Sequence, residues 1–196
     1  VFKPLILLGS SQFKITDVDK EAINEAAYAR KDMKLDDNAS HTFAEDSMFP
    51  DVSVPACKEL VEKVEAIARK EIHSKLKNVN VWSHILEAGE STMFHTHGSQ
   101  GGMPPMISWV YYSKAPKNAG NIVFTFECNS HRVMQEEQLE EDKVLFFSGE
   151  IPHFTQKNIS GETRISISGN MQLPEDMDWQ KFDPENWLNY VGVFNG

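Results

Sequence analysis

Apolar residues recur at helical spacing in the first part of the chain and at strand spacing afterwards. Leu60, Val61, Val64, Ile67, Ala68, Ile72 and Leu76 form one stripe after Pro55, which predicts a long amphipathic helix starting at that proline. A shorter helix is predicted from a cap at Thr16-Asp17-Val18-Asp19 through about Arg30, with Ile23, Ala26 and Ala27 on its buried side. Residues 31 to 54 read as a polar loop anchored by Phe43, Met48, Phe49 and Pro50. From Val79 the pattern becomes that of strands: Val79–Glu87, Ile107–Ser113, Asn121–Glu127, Arg132–Met134, Lys143–Ser148 and Thr163–Met171. Ala119-Gly120-Asn121, Asn129-Ser130 and Ser160-Gly161 mark turns between them. Two helices followed by many short strands predict a mainly β chain of α+β type. The expected architecture is a sheet sandwich or jelly roll with the helices buttressing one side.

Three segments fit this pattern less directly. Phe2 through Leu8 is apolar but short and carries Lys3, and it reads as a first strand rather than a signal segment. The acidic run from Glu136 to Asp142 reads as a solvated loop. The tail from Asp176 carries Trp179, Phe182, Trp187, Tyr190 and Phe194, so it is expected to dock on the core or on a second subunit, giving a homodimer.

At 196 residues the chain is expected to form a single domain. Residues 1–78 supply a strand and helical support, 79–171 the jelly-roll core and 172–196 the tail. A net charge of −10 argues against general nucleic-acid binding and against an anionic membrane surface. No apolar run approaches the length of a membrane span. Cys57 and Cys128 make no disulfide framework, which points to a reducing, cytoplasmic interior.

The chemistry concentrates in two places. In Phe94-His95-Thr96-His97-Gly98, the two histidines sit at i and i+2, so on an extended strand both face one side. His153, after the apolar strand Val144–Phe147 and the turn at Ser148-Gly149-Glu150, is the best candidate for a third ligand. Three neutral imidazoles, or two with a carboxylate, suit a divalent iron with open positions. An isolated strand histidine is more often a hydrogen-bonded polar residue, and His41, His73, His84 and His131 are read that way. Downstream, Arg164, Ser166 and Ser168 alternate with Ile165 and Ile167. A half-exposed strand with its Arg in water has the same pattern. Pairing with His153 favours instead a clamp in which Arg164 grips a carboxylate and Ser166 adds a hydrogen bond. The Gly- and Pro-rich segment Gly98–Met106 leaves the proposed ligands directly and reads as a substrate lid rather than a plain connection. Gln100 and Met103 within it, with Trp109 and Tyr111 on the next strand, are the candidate substrate contacts. Trp109, Tyr111 and Phe124 fit equally a role in filling the sandwich.

Together these residues resemble the iron(II)- and 2-oxoglutarate-dependent oxygenases, whose signature is H-x-D/E, a distal His and an Arg about one strand later. The likeness is strongest to small bacterial and phage members with His in the second motif position. Leu86-Glu87-Ala88-Gly89-Glu90, Ile107–Tyr112 and the hairpin from Pro116 to Phe124 add weaker matches, so that residues 80 to 171 are covered. The resemblance implies a double-stranded β-helix (jelly-roll or cupin-like) core with the helices packed on one sheet. It implies Fe(II) at His95, His97 and His153, and 2-oxoglutarate at Arg164 and Ser166. The expected reaction is hydroxylation of a peptidyl or small-molecule substrate with release of succinate and CO2. The departure is His97, which stands where the family has a carboxylate. His97 then ligates, or turns away, or Glu87 or Glu90 supplies the carboxylate. Three alternatives to this function follow from the same residues: a three-His dioxygenase without cosubstrate, a non-catalytic jelly-roll binding module, and an assembly protein using its aromatic tail.

Overall fold

In the computed structural model, residues 12–29, 40–42, 54–72, 74–97, 107–128, 131–149 and 151–172 are described. Expectations for Phe2–Leu8, for the lid Gly98–Met106 with Gln100 and Met103, and for the aromatic tail lie outside these residues.

The two helices form where the apolar stripes put them. Helix α1 (Lys20–Tyr28) is capped by Asp19, whose side chain accepts from the Ala22 N–H at 3.1 Å, a contact worth about 1 kcal/mol. Helix α2 (Pro55–Glu71) starts on its proline, where a missing N–H costs nothing. Its buried stripe is Leu60, Val64 and Ala68. Leu76 lies past the helix end yet is equally buried, so the stripe runs on into the turn that follows.

Among the described residues, ten strands make two antiparallel sheets. The six-stranded sheet contains β1 (Gln12–Lys14), β2 (Ser40–Thr42), β3 (Lys77–Leu86), β5 (Ile107–Lys114), β8 (Lys143–Ser148) and β10 (Arg164–Gln172), in the order β1-β8-β5-β10-β3-β2. The four-stranded sheet contains β4 (Thr92–His95), β6 (Ile122–Cys128), β7 (His131–Glu137) and β9 (His153–Thr155), in the order β4-β9-β6-β7. The chain folds as a double-stranded β-helix, with both helices against one face of the larger sheet. On that face Ile23, Leu60 and Val64 pack with Val81, Ile85, Tyr111, Phe146 and Ile167. Between the sheets, Val110, Tyr112, Leu145 and Phe147 meet Ile122 and Phe124. The larger sheet is thus covered on both sides, which places β10, between β5 and β3, deep in the molecule.

Most strand ends shift from the sequence reading by one to three residues, and β2 lies inside the segment 31–54 read as a polar loop, where it gains its order by pairing with β3; two other differences are larger. The acidic run is not wholly a loop, because β7 extends through Glu136 and Glu137, paired with Val123 and Ile122. The Asn121 side chain bonds Glu136, and the Lys143 ammonium lies 3.9 Å from Glu137, so both carboxylates find partners on a strand. His153 and the apolar strand that precedes it lie in different sheets. The turn after Ser148 carries the chain across to the smaller sheet, where His153 begins β9. The segment from Pro116 to Phe124 is not a hairpin, since β5 and β6 lie in different sheets, but the turn at Gly120 between them needs its glycine twice over. Its φ is +85°, and a Cβ there would lie 2.1 Å from the Gln156 carbonyl oxygen. Among the described residues, no helix is long and apolar enough to cross a membrane.

Candidate metal centre

His95 ends β4 and His153 begins β9, and the two are register partners. His97 follows just beyond β4, where its N–H donates to the Gly149 carbonyl at 2.8 Å. Ligand nitrogens of all three histidines lie within 4.8 Å of one another, the only such group of three or more potential metal-binding side chains among the described residues. Each ring turns its Nδ1 to an oxygen: His95 to Met93 O at 2.7 Å, His153 to Ile151 O at 2.8 Å, and His97 to Asn170 Oδ1 at 2.8 Å. Nδ1–H therefore donates outward, and each Nε2 is left with its lone pair facing inward. The Nε2 atoms of His95 and His97 are 3.2 Å apart. Two lone pairs at that distance repel unless a cation lies against them, so the donor set fits a metal ion.

Burial favours the neutral, ligating form. Desolvation lowers His97 from its ordinary value to about 4, and the charge of His95 pushes the same way. Desolvation, followed by the charges of His95 and His97, lowers His153 to about 3. Metal binding at neutral pH then displaces no proton from either ring. Glu87 and Glu90 do not join the group. Glu87 accepts from the Thr163 hydroxyl at 2.7 Å, and Glu90 from the Glu87 N–H at 2.8 Å, so both serve the turn before β4.

The cleft beside the histidines is lined by Phe147, Val110, Trp82, His84, Ser166, Ser168 and, at its far end, Arg164. Arg164 is 2% exposed, not in water as an alternating strand suggests. Among the described residues its Nε and Nη1 have no hydrogen-bond partner, and its guanidinium carbon lies 5.3 Å from the centre of the Tyr112 ring. The Tyr112 hydroxyl makes no hydrogen bond of good geometry among the described residues, though it lies close enough to the guanidinium to interact with its charge. Burial pulls the guanidinium below its ordinary pKa and pushes Tyr112 up. A buried cation with free donors is costly unless an anion meets it. The site can therefore hold a metal ion at one end and a carboxylate at the other, joined along the polar face of β10.

Of the two sequence-based substrate candidates on β5, Tyr111 falls elsewhere and Trp109 lines only the border of the cleft. Tyr111 points to the helix side, fully buried, with its hydroxyl on Ile15 O and Asp142 Oδ1. Trp109 borders the cleft, but its indole packs in the helix-side cluster and donates to Asn78 Oδ1 at 2.8 Å. The reason is strand parity: Val110 and Tyr112, not their neighbours, face between the sheets. His84 is the hydrogen-bonded polar strand residue expected of it, and it also lines the cleft. It accepts from the Trp82 indole at 2.7 Å, opposite Ser166 in the β3–β10 register. Asn170 and Ser108 were not anticipated, although Asn170 shares parity with Arg164, Ser166 and Ser168.

No sequence-family model matches the chain, and no curated protein matches it in sequence. Solved structures do resemble it. A prolyl-4-hydroxylase from Pseudomonas putida is 13% identical, with a TM-score of 0.58 over 87% of this chain and 100% of that one. A viral collagen prolyl hydroxylase from Paramecium bursaria Chlorella virus-1, solved with 2-oxoglutarate, is 14% identical, with a TM-score of 0.56 over 85% of this chain and 98% of that one. SnoN, a non-haem α-ketoglutarate-dependent epimerase of nogalamycin biosynthesis, is 11% identical, with a TM-score of 0.57 over 89% of this chain and 83% of that one. The likeness is one of fold.

Proposed function

We propose that the protein is an Fe(II)- and 2-oxoglutarate-dependent oxygenase that hydroxylates a peptidyl or small-molecule substrate. One observation carries this reading: three inward-facing imidazole nitrogens share a single cleft with a buried Arg164, two of whose nitrogens have no hydrogen-bond partner among the described residues. The oxidising chemistry comes from the bound iron with dioxygen and 2-oxoglutarate, which leaves as succinate and CO2. The chain's own part is to bind and orient. His95, His97 and His153 hold the metal on one face. Arg164 receives the remote carboxylate of the oxo acid, with Ser166 and the Tyr112 hydroxyl beside it. Phe124, Phe147 and Val110 keep the space between the two ends dry, which strengthens the contact at Arg164. Prolyl hydroxylases among the similar structures support a peptidyl side chain as one substrate class, and the biosynthetic epimerase supports a small molecule as the other.

The test is the fate of 2-oxoglutarate. Purified protein with Fe(II), air and 2-oxoglutarate should form succinate, followed by NMR, even at the slow rate of turnover without substrate. It should also bind 2-oxoglutarate anaerobically in the presence of iron. Neither succinate nor binding would leave a second reading, favoured by the all-histidine donor set. That reading is an iron dioxygenase without cosubstrate, in which Arg164 holds the carboxylate of the substrate itself.

A further inference from the structure

The three histidines are not anchored alike. His95 and His153 each donate to a backbone carbonyl two residues back, so the conformation of their own segments fixes them. Among the described residues, His97 has no such local support. Its Nδ1 reaches across to the other sheet, to Asn170 Oδ1 on β10 and to Ser108 Oγ on β5, each at 2.8 Å. Ser108 and Asn170 are register partners, and the Ser108 hydroxyl donates to Asn170 Oδ1 at 2.7 Å. That bond uses the only proton Ser108 has, so both oxygens facing His97 act as acceptors. Both side chains are buried, Ser108 fully and Asn170 to 5% exposure, where an unmet polar group would be costly. Apart from the other two histidines of the cluster, the described neighbours of the ring, Trp82 and Phe147, touch it only through aromatic faces and edges and do not choose between its nitrogens.

We propose that Asn170, steadied by Ser108, is a positioning residue of the metal centre, holding His97 as the Nδ1–H tautomer with Nε2 directed at the ion. The inference rests on reading the histidine cluster as a metal site. It explains how a histidine outside β4 serves as a ligand in place of a carboxylate. The anchor is an amide and not an acid, so His97 brings no negative charge. The ion keeps its full double charge beside the cationic Arg164, which suits a cleft built to receive an anion.

The test uses metal-free and cobalt(II)-loaded full-length protein. In the metal-free wild type, the nitrogen shifts of His97 in ¹⁵N-labelled protein should show a protonated Nδ1 and an unprotonated Nε2. Asn170→Leu should lose that fixed tautomer and weaken cobalt affinity by about 10–100-fold, the usual cost of losing such a partner. Asn170→Asp keeps an acceptor at the same place and should restore affinity to at least the wild-type value, which a purely structural role would not require. A protonated Nε2 in the wild type overturns the proposal. So does a folded Asn170→Leu variant that binds cobalt as tightly as the wild type. If Asn170→Leu does not fold, the wild-type tautomer and the affinity of Asn170→Asp still decide the matter. Should the wild type itself bind no cobalt, the metal reading fails, and a tautomer change in Asn170→Leu separates that failure from a misplaced anchor.

Discussion

His95 and His153 face each other in register across β4 and β9, and their ring centroids are 4.4 Å apart. Sheet pairing therefore fixes two ligands of the candidate centre before any metal arrives, while His97 depends on side-chain contacts to the opposite sheet.

Removing a ligand should cost more than removing its support. His95→Ala, His97→Ala and His153→Ala should each weaken cobalt(II) binding by more than the roughly 10–100-fold that follows loss of an outer partner. Calorimetric titration of the metal-free protein measures this. Wild-type affinity in His97→Ala alone would reduce the centre to two histidines and return the third position to another group.

The metal-free protein should lose stability in mild acid. His97 and His153 are depressed to about 4 and about 3, below the ordinary value of 6.5, by burial. Between those values the unfolded chain binds protons that the folded chain refuses, so stability falls as pH falls. The contribution is whole above about pH 6.5 and drains away as pH drops toward 4 and then 3. By pH 5 each site should cost on the order of 2 kcal/mol. Urea unfolding at pH 7.5 and pH 5 reads the difference, and in His153→Phe that difference should shrink. Equal pH dependence in the variant and the wild type would mean His153 titrates normally in the folded state.

Much of this site was legible in sequence because its signals are short-range. The i, i+2 spacing of His95 and His97 and the alternation after Arg164 survive any topology. What was not legible depends on which strand lies in the middle. Alternation alone fits a solvated Arg as well as a clamp, the pairing with His153 favours the clamp, and the position of β10 between β5 and β3 is what buries the side chain. Ile107–Tyr112 is apolar on both faces because helices cover one side and the smaller sheet the other. Nothing in the run then tells Tyr111 from Tyr112, and the wrong parity selects the wrong tyrosine. The three-residue strand β1 and the strand half of the acidic run gain their order from partners distant in sequence, Leu145 and Val123 among them.

Two glycines separate backbone strain from collision. Gly89 and Gly120 have φ of +90° and +85°, but a Cβ at Gly89 would meet nothing within 4 Å. Gly89→Ala should cost about 1–2 kcal/mol, the penalty of the left-handed region alone. Gly120→Ala adds a clash with the Gln156 carbonyl, a backbone atom that cannot swing aside, and should cost clearly more. Thermal or urea unfolding of the two variants side by side is the measurement. Equal losses would mean that the turn between β5 and β6 relaxes away from Gln156.

Arg164 should lower the stability of the empty protein while being required for ligand binding. Its guanidinium is 2% exposed with two nitrogens unpartnered, and a charge so placed is paid for elsewhere in the fold. Arg164→Met keeps the length of the side chain and removes the charge. It should stabilise the ligand-free protein by about 1–4 kcal/mol, the range seen when buried charges give way to apolar residues of similar volume. The same variant should lose 2-oxoglutarate affinity at least about tenfold, since a charge-assisted contact contributes about 1.5–3 kcal/mol. Cobalt affinity should hardly move, because Arg164 touches none of the three histidines. Unfolding curves and calorimetry on one preparation give all three values. A destabilised Arg164→Met would show that the guanidinium already has a partner in the folded chain. Unchanged oxo-acid binding would move the carboxylate site away from β10.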